Sequence, residues 1–453
     1  MADGAPELVP SPGGTQVRYR GRPLYRNHPI VAAEARAAAV ELPEEAICIV
    51  ASPLLGYGVS TLHRTLPASS TLLFVEADPA LLAISDKRLE VHSPQTLRRR
   101  IQQLPDQWFL QFRRVSLISL NGGYRIEAAQ YRDVEALVHA RLQRSWQNKI
   151  TTIHMGRLWI TNIIANVPHL PRAGDVSSFT TNRPVAVVGA GPSLDRTVNT
   201  LARHRPELFI LTVDTAYQSL LARGIRPDAL CVVEAQHANL GDVLGTPIQS
   251  QMVWADIASY PGLLRRCSRN RLFFFSSTFG ETSLLARLDD CGFRPAELPP
   301  LGSVGATAVE LASRITSGPV LLFGLDFAFA HGKTHARGTP QARRDLRIRD
   351  RLTGSDPSPF TLSARTLPST GLLRTTSELV TYNRVTAALG SRAANYDLGD
   401  APEPLGVKLD PDDVGALLDR QRETPHERGK ERETASEVRG PIAPEAEAVG
   451  RFI

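Results

Sequence analysis

The sequence predicts an α/β protein built on parallel sheets, because short apolar strands alternate with helices along much of its length. Three strands with helices between them follow one another at residues 184–188, 209–213 and 229–233. A glycine-rich turn at residues 189–195 joins the first of these strands to its helix. Strands at this spacing predict the core of a doubly wound, Rossmann-like sheet.

Length and composition indicate several globular domains. The 453 residues correspond to two or three domains of about 150 residues each. Hydrophobic residues make up 42% and charged residues 22% of the chain, which allows buried cores and excludes wholesale disorder. Lys and Arg outnumber Asp and Glu by 52 to 46, and this net charge of +6 is too mild to indicate nucleic-acid binding. Most of the cations are Arg, which suits phosphate or carboxylate ligands.

Cysteine spacing and hydropathy indicate a cytoplasmic protein. The four cysteines are scattered without a C-x-x-C pair, so reduced thiols are expected rather than a zinc site or disulfides. The first ten residues contain no apolar stretch, and no signal peptide is expected. The longest apolar segment, residues 320–330, is far shorter than the ~20 residues of a membrane span.

The first 130 residues predict an arm and a small domain. The basic, Gly/Pro-rich residues 1–27 are expected to be a flexible arm. An N-terminal Rossmann-like domain is predicted at residues 28–130, with a strand at 47–51, a helix at 59–66 and a second strand at 71–75. This order is the βαβ pattern of a parallel sheet.

Glu76 closes the second strand, eighteen residues after Gly58. In dinucleotide and S-adenosylmethionine folds an acid at this position holds ribose hydroxyls. A single Gly-Tyr-Gly loop does not decide between a ligand site and a scaffold without a ligand, and both stay open.

Apolar residues at helical spacing predict a helical connector at residues 131–182. Asn162 and Asn166 lie inside this apolar helix. Buried amides destabilise a fold unless they are hydrogen-bonded, so these residues are expected to cap or bridge helices.

The larger domain is predicted at residues 183–400. It continues with strands at 272–275 and 320–324. A polar stretch at 341–373 is expected to be a lid or surface insertion. A C-terminal segment, 401–453, follows, and its charged, apolar-poor part is expected to be disordered.

The glycine turn is the first candidate for ligand binding. Glycines let the backbone approach a ligand closely, and the next helix offers free N–H groups and a positive dipole end. Ser193 can cap that helix or bond a phosphate oxygen. The turn matches neither a dinucleotide fingerprint nor a P-loop, so a nucleotide site and a structural elbow both stay open. The candidate residues are Gly189, Gly191, Pro192 and Ser193.

Further polar residues follow the other strands, at the edge where open α/β sheets bind ligands. A second helix N-terminus at the same edge suits a phosphate or a sugar carboxylate. A capped turn or a loop salt bridge is the alternative for each residue alone. The candidates are Asp214, Thr215, Glu234, Gln236, Asp326, Gly302 and Ser303.

The loop at 331–338 carries two histidines, a lysine and an arginine. His335 titrates near neutral pH and can take a proton from an acceptor hydroxyl. Lys333 and Arg337 can neutralise a departing phosphate. A solvated basic loop is the alternative reading, and His237 is a second candidate base.

Metal and hydrolase motifs are missing from the sequence. No metal-ligand spacing appears, so no metal site is predicted, although Mg²⁺ held by Asp214 or Glu234 with substrate phosphates stays open. No G-x-S-x-G elbow indicates a hydrolase.

Several of these motifs together resemble the Maf (motility accessory factor) flagellin glycosyltransferases, whose domain is also described as 6-hydroxymethylpterin diphosphokinase MptE-like. In the larger domain the resembling stretches are residues 189–194, 213–216, 224–228, 302–304 and 324–336. Residues 55–58, 75–78 and 159–162 resemble the family's N-terminal domain and bridging segment. The resemblance covers roughly residues 45–400.

The sequence departs from the family pattern at three places. Glu234 stands where the family usually has Asp, which keeps the charge and moves it by one methylene. Leu301 precedes Gly302 where the family often has Gly-Gly, and Gly58 replaces the His of a usual Gly-Tyr-His loop.

The resemblance implies a sialyltransferase-like fold. It implies transfer of a nonulosonic acid, such as pseudaminic or legionaminic acid, from a CMP-sugar to Ser or Thr of flagellin. The archaeal pterin branch implies instead an ATP-dependent pyrophosphotransferase, for which Mg²⁺ is more expected. A non-catalytic nucleotide-binding assembly factor is the third alternative. The additional N-terminal domain and the bridging segment are Maf-like, because the pterin enzymes are compact single domains.

On the transferase reading we expect each candidate residue to have a role. Ser193 and the glycine turn would hold the donor phosphate, and Asp214 with Gln236 would hold ribose or cytosine. Gly302 and Ser303 would hold phosphate or the sugar carboxylate. The catalytic group would be His335 as base, with Asp326, Lys333 and Arg337.

Overall fold

The structure is a computed structural model that divides into two compact units, Met1–His154 and Met155–Ile453. The described residues are 4–248, 252–267, 271–277, 283–330, 333–347, 367–368, 373–389 and 394–423.

The N-terminal unit contains a three-stranded antiparallel sheet, β1-β2-β3, and a four-stranded parallel sheet in the order β6-β5-β4-β7. Its strands are β1 (Glu7–Ser11), β2 (Gly14–Tyr19), β3 (Arg22–Pro23), β4 (Ala46–Ala51), β5 (Thr71–Val75), β6 (Val91–His92) and β7 (Arg114–Ser119). Its helices are α1 (Pro29–Ala38), α2 (Val59–Thr65), α3 (Pro79–Ile84), α4 (Pro94–Gln103), α5 (Asp106–Phe109) and the first part of α6 (Ala128–Asn166).

The basic N-terminal segment is folded, so the expectation of a flexible arm at residues 1–27 is wrong for the described part. A two-residue turn at Pro12 and Gly13 joins β1 to β2. The inward side chains Val17 and Tyr19 are buried in an apolar cluster with Leu54. The Pro-Gly-Gly turn was a local sequence signal of a hairpin, but the burial of Val17 and Tyr19 depends on contacts distant in the sequence.

Glu76 is buried and held by protein groups. Its carboxylate accepts the hydroxyls of Ser52 and Tyr131, both at 2.7 Å, and the amide of Asp78 at 3.1 Å. Burial raises the pKa of Glu76, and these hydrogen bonds oppose the shift. Because both carboxylate oxygens have protein donors, the arrangement favours the scaffold alternative over a ribose site.

The C-terminal unit contains a ten-stranded sheet in which all recorded pairings are parallel, in the order β14-β13-β12-β11-β10-β9-β15-β18-β19 with β8 beside β13. A separate antiparallel pair is formed by β16 and β17. The strands are β8 (Gly174–Asp175), β9 (Val185–Val188), β10 (Phe209–Val213), β11 (Ala229–Val232), β12 (Met252–Asp256), β13 (Arg271–Ser276), β14 (Ala296–Glu297), β15 (Val320–Phe323), β16 (Leu367–Pro368), β17 (Arg374–Thr375), β18 (Asn395–Asp397) and β19 (Val407–Lys408). The helices after α6 are α7 (Leu194–Arg203), α8 (Asp214–Leu221), α9 (Pro261–Arg266), α10 (Ser283–Asp290), α11 (Val304–Ile315), α12 (Pro340–Arg347), α13 (Ser377–Leu389) and α14 (Val414–Glu423).

Helices cover both faces of this sheet. On β12, Met252 and Trp254 pack into one apolar cluster with α7, α11 and α14. Val253 and Ala255 pack into a second cluster with α9, α10 and the end of α6. Parallel strands buried on both faces are apolar along their whole length, which is why the sequence predicted β9, β10, β11, β13 and β15, although β12 was not predicted. The predicted α/β class, with a smaller parallel sheet before a doubly wound one, is confirmed.

The connector asparagines are hydrogen-bonded, as expected, but they join α6 to the loops after β11 and β12 rather than to another helix. Helix α6 is 39 residues long, and its C-terminal end packs in the C-terminal unit. The side-chain amides of Asn162 and Asn166 each donate two hydrogen bonds of 2.8–2.9 Å to backbone carbonyls. The acceptors are Ala235 and Ala258 for Asn162, and Ile257 and Ser259 for Asn166.

Two expectations fall mainly outside the described residues. Of the polar stretch 341–373, residues 341–347 belong to α12 and 367–368 form β16, and most of the remainder lies outside. The C-terminal segment is helical as far as Glu423, and residues 424–453 lie outside. Across the part of the chain that the structure describes, no helix is long and apolar enough to cross a membrane.

Candidate active site

The candidate site lies where the strand order of the large sheet reverses. From β9 the chain builds β10 to β14 on one side and then returns to place β15 on the other side of β9. In open α/β sheets a crevice forms at such a switch point, beyond the carboxyl ends of the strands.

A cavity of about 170 Å³ opens at this point. The turns after β9, β10 and β15 line it, together with the N-terminus of α11, the 333–338 loop and α13. Six predicted residues therefore meet in one place, namely Gly189, Gly191, Thr215, Ser303, Asp326 and His335.

Glycines allow the turns after β9 and β15 to touch through their backbones. The amide of Gly189 donates to Phe323 O at 2.8 Å, and that of Gly191 donates to Gly324 O at 2.7 Å. A Cβ on Gly189 would lie 2.5 Å from Gly324 O, closer than real Cβ atoms come. This contact explains the first glycine of the motif without a ligand.

Asp326 lines the cavity, but its carboxylate is engaged in fixing the glycine turn. Its carboxylate accepts the amide of Ser193 at 2.8 Å, the Ser193 hydroxyl, and the amide of Asp400 at 3.0 Å. The side chain is 3% exposed. Burial raises the pKa of Asp326, and the hydrogen bonds from Ser193 oppose that shift.

Most amides of the glycine turn already have protein acceptors. The amides of Gly189, Gly191, Ser193, Leu194 and Asp195 donate to backbone or carboxylate oxygens. Pro192 has no N–H, and only Ala190 is left without an acceptor among the described residues. Because these amides already have acceptors within the protein, the structural-elbow alternative is favoured for the turn. Its phosphate-binding role stays a prediction.

The N-terminus of α11 is the more open of the two helix ends. Ser303 caps the helix, its hydroxyl accepting the Gly305 amide at 3.2 Å. Val304 and Gly305 of the first turn line the cavity. The first turn of a helix carries N–H groups without intrahelical partners and a partial positive charge, which favours an anion. Gly302 precedes this turn and packs against the ring of Tyr382.

His335 lines the cavity with Thr334. Its Nδ1 lies 3.0 Å from the Thr334 hydroxyl oxygen. Burial lowers the pKa of His335 below its usual 6.5, although Asp345 opposes the shift. The imidazole is therefore neutral at physiological pH, the form that a general base needs. The other predicted histidine, His331, lies outside the described residues.

The two predicted cations lie beside the cavity instead of lining it. Lys333 Nζ pairs with the Asp195 carboxylate. The same carboxylate accepts the Arg337 amide at 3.0 Å and the Arg223 guanidinium at 3.0 Å. The Arg337 side chain is 85% exposed, and its Nε lies 3.8 Å from Asp195 Oδ2.

The structure does not bring Asp214, Glu234 and Gln236 into the cavity lining. Asp214 is 1% exposed and accepts the Thr215 amide at 2.8 Å. Glu234 is half-buried, and burial together with the Asp214 charge raises its pKa. Gln236 is exposed, as is the second candidate base, His237.

Sequence reasoning missed three groups near the site. Thr334 lies inside the predicted basic loop, so its position next to His335 was the available signal. Tyr382 follows no local motif. Asp242 comes after no strand, yet burial and the Asp214 charge raise its pKa to about 6. Within the described ranges, no three His, Cys, Asp or Glu side chains converge as metal ligands.

Comparisons with known proteins agree with this architecture. Residues 161–332 match the family model described as 6-hydroxymethylpterin diphosphokinase MptE-like. The structure of a MAf glycosyltransferase from Magnetospirillum magneticum AMB-1 matches 93% of this chain and 74% of its own, with a TM-score of 0.57 and 15% identity. The expected MptE-like domain and the fold of a Maf glycosyltransferase are thereby confirmed.

Two proteins of Treponema pallidum (strain Nichols), both described as uncharacterized, are also similar. The first is 30% identical over 362 residues, which make up 75% of this chain and 62% of that protein. The second is 28% identical over 92 residues, 19% of this chain and 41% of that protein. The chain thus spans less than two thirds of either relative.

Proposed function

We propose that this protein is a glycosyltransferase that moves a nonulosonic acid from a CMP-sugar to a Ser or Thr hydroxyl, with flagellin as the acceptor. One observation carries the proposal: a histidine kept neutral by burial lines the same cavity as an open helix N-terminus, at the switch point of the sheet. Base and anion site are the two elements that such a transfer needs.

The helix N-terminus of α11 holds the anionic part of the donor. Its first-turn amides take the phosphate or the sugar carboxylate, and Ser303 keeps that turn in place. The cavity of about 170 Å³ is smaller than the roughly 300–1,000 Å³ of sites that enclose a ligand. Only the reacting centre therefore lies inside it, and the nucleoside extends outward.

His335 Nε2 takes the proton of the acceptor hydroxyl. The hydroxyl oxygen forms a bond to the anomeric carbon while the bond from that carbon to the phosphate oxygen breaks, and CMP leaves with the electron pair. Arg337 neutralises the leaving phosphate, because its side chain is 85% exposed and its contact with Asp195 is long, at 3.8 Å, whereas Lys333 is less exposed and paired closely with Asp195. Asp326 acts on the reaction by holding the glycine turn. CMP leaves as a phosphate monoester, so the step does not require a metal ion.

A thermal-shift panel tests the donor class, using CMP, CTP, ATP, UDP and S-adenosylmethionine with and without Mg²⁺. A ligand at 100 times its Kd adds about 2.7 kcal/mol of stability, a shift of several degrees. We expect CMP to stabilise the protein without metal. Stabilisation by none of the nucleotides would contradict the proposal and favour a non-catalytic assembly factor.

Transfer itself is measured by intact-mass spectrometry of flagellin incubated with CMP-nonulosonic acids. His335→Ala is expected to lower the transfer rate by about 10²–10⁴-fold. His237→Ala is the matched control, because His237 is exposed and lies outside the cavity lining. Equal rates for the two variants would remove His335 as the base.

The match to an MptE-like family model supports a second candidate, an ATP-dependent pyrophosphotransferase. This function predicts stabilisation by ATP only in the presence of Mg²⁺ and no shift with CMP. The same panel therefore separates the two candidates.

A further inference from the structure

A chain of hydrogen bonds leads from His335 away from the cavity to helix α12. His335 Nδ1 lies 3.0 Å from Thr334 Oγ1, and Thr334 Oγ1 lies 2.8 Å from Asp345 Oδ2. The amide Nε2 of Gln341 donates to Asp345 Oδ1 at 2.7 Å. Asp345 is 6% exposed, so this carboxylate is held inside the protein between two donors.

The protons available to these side chains determine which group donates and which accepts in each hydrogen bond. An ionised carboxylate only accepts, so the single hydroxyl proton of Thr334 points to Asp345. The Thr334 oxygen is then left as an acceptor toward His335 Nδ1. The contact is a hydrogen bond only if Nδ1 carries the proton of the neutral ring. Nδ1–H therefore donates to Thr334, and Nε2 carries the lone pair.

Nε2 is the nitrogen that remains available for chemistry. Within the described residues it has no hydrogen-bond partner, and the ring to which it belongs lines the cavity. The alternative tautomer would place a proton on Nε2 and leave Nδ1 and the Thr334 oxygen as two facing acceptors. Such a pair loses a hydrogen bond between two partly buried side chains, which disfavours that tautomer.

We propose that Asp345 is a positioning residue that, through Thr334, holds His335 in the tautomer whose Nε2 is free to accept a proton. The assignment rests on the proposed function, in which Nε2 accepts the proton of the acceptor hydroxyl. Asp345 itself touches neither substrate nor the reacting atoms. It affects catalysis only by making the Thr334 hydroxyl donate to Asp345, so that the Thr334 oxygen accepts from His335 Nδ1.

Asp345→Asn reverses that direction. Gln341 still donates to the remaining oxygen, so the new side-chain NH₂ faces Thr334 and donates to its oxygen. The Thr334 hydroxyl must then donate to His335 Nδ1, and the ring carries its proton on Nε2. Thr334→Ser keeps a hydroxyl that can donate to Asp345, whereas Thr334→Val removes the hydroxyl. Asp413→Asn makes the same substitution at an exposed aspartate elsewhere in the protein and is the matched control.

Nitrogen-15 NMR of ¹⁵N-histidine-labelled full-length protein reads the tautomer without any substrate, with His335→Ala assigning the signal. We expect the ring proton on Nδ1 in the wild type and in the variants Thr334→Ser and Asp413→Asn. In Asp345→Asn we expect the proton on Nε2, and in Thr334→Val a mixture of the two tautomers. Transfer should fall by about 10²–10⁴-fold in Asp345→Asn and stay within a few-fold in Thr334→Ser. Should Asp345→Asn not fold, Thr334→Val tests the same link.

The outcomes separate this inference from the proposed function. Nε2–H in the wild type, or an unchanged tautomer in both Asp345→Asn and Thr334→Val, would overturn the positioning role even if transfer is observed. The expected tautomers without transfer from any CMP-sugar would keep the hydrogen-bond chain and overturn the transferase. A rate loss in Asp345→Asn with an unchanged tautomer would reduce Asp345 to a structural residue.

Discussion

Asp326 holds Ser193 at two points, accepting its backbone amide at 2.8 Å and its side-chain hydroxyl on the other carboxylate oxygen. The two residues are 133 positions apart in the sequence. The glycine turn after β9 is therefore fixed by a side chain that follows β15. Its shape depends on the neighbouring strand as much as on its own glycines.

Asp326→Asn is expected to lower the free energy of unfolding by about 1–3 kcal/mol. One amide NH₂ must replace an oxygen that now accepts a donor, which leaves a buried donor facing another donor. Urea denaturation measures this as a lower midpoint at constant slope. Asp412→Asn, at an exposed position, is the control, and equal midpoints for the two variants would contradict the role of Asp326.

Gly191→Ala is expected to destabilise the protein and to abolish any shift that CMP produces. A Cβ at this position would lie 2.4 Å from Asp326 Oδ2 and 2.8 Å from Gly324 O, so the turn must move. Gly241→Ala is the matched control, because its nearest neighbour would be Arg344 at 3.8 Å. Thermal unfolding with and without CMP checks both effects, and a Gly191→Ala protein that behaves like the control would refute the close packing.

Asp242→Asn is expected to raise stability at pH 7.5. Burial, followed by the Asp214 charge, raises the folded-state pKa of Asp242 to about 6, above the unfolded value near 3.9. The folded state thus binds the proton more tightly, and stability falls as pH rises from about 4 through 6. Removing the charge should raise the free energy of unfolding at pH 7.5 by on the order of 1–2 kcal/mol.

Urea midpoints of the wild type and Asp242→Asn at pH 4.5 and 7.5 check this sign. The difference between the two proteins should be larger at pH 7.5. A stability loss at pH 7.5 would mean instead that the Arg344 guanidinium, 3.7 Å from Asp242, outweighs the burial of the charge.

The acid limb of kcat/KM for transfer is expected to have its midpoint below pH 6.5. Burial lowers the pKa of His335, Arg344 lowers it further, and Asp345 opposes them. The base therefore loses activity only when the pH falls through this lowered pKa. A pH–rate profile measures the midpoint, and a midpoint above 6.5 would contradict the buried, neutral state of His335.

Asn162→Ala is expected to lower the free energy of unfolding by about 2–3 kcal/mol, because two buried backbone carbonyls lose their side-chain donor. Asn199→Ala, at an exposed position of α7, is the control. Urea denaturation compares the two variants. Equal stabilities would show that the α6 amides are dispensable.

Local patterns in the sequence predicted five strands of the large sheet, β9, β10, β11, β13 and β15, and missed β12 and the short strands β8, β14, β18 and β19. The strand at 209–213 has the predicted bounds, and the one at 184–188 differs by one residue, because strands buried on both faces are uniformly apolar. The hairpin at residues 7–19 was missed, since its glycines, prolines and arginines suggested a leader. Its apolar contacts are made with residues far away in the sequence, which no local pattern shows.

The sequence predicted where the candidate residues lie better than it predicted what each of them contacts. The rule that ligands bind at the carboxyl ends of strands brought Gly191, Ser303 and His335 together correctly. Asp326 also follows a strand, but its carboxylate is engaged by Ser193, a long-range contact that depends on strand order. Tyr382 packs at the site from a helix late in the chain, and only the fold reveals it.

The order in which the cavity is assembled has a consequence during synthesis. The turn at 189–195 leaves the ribosome long before Asp326 and Asp400, which complete its hydrogen bonds. At about 5–20 residues per second, the 207 residues from Ser193 to Asp400 take roughly 10–40 s to translate. Until Asp326 is synthesised, the nascent chain has the glycine turn without the side chain that fixes it. The turn therefore reaches its final shape only when the C-terminal unit is complete as far as Asp400, and a chain released earlier would lack the hydrogen bond from the Asp400 amide to Asp326.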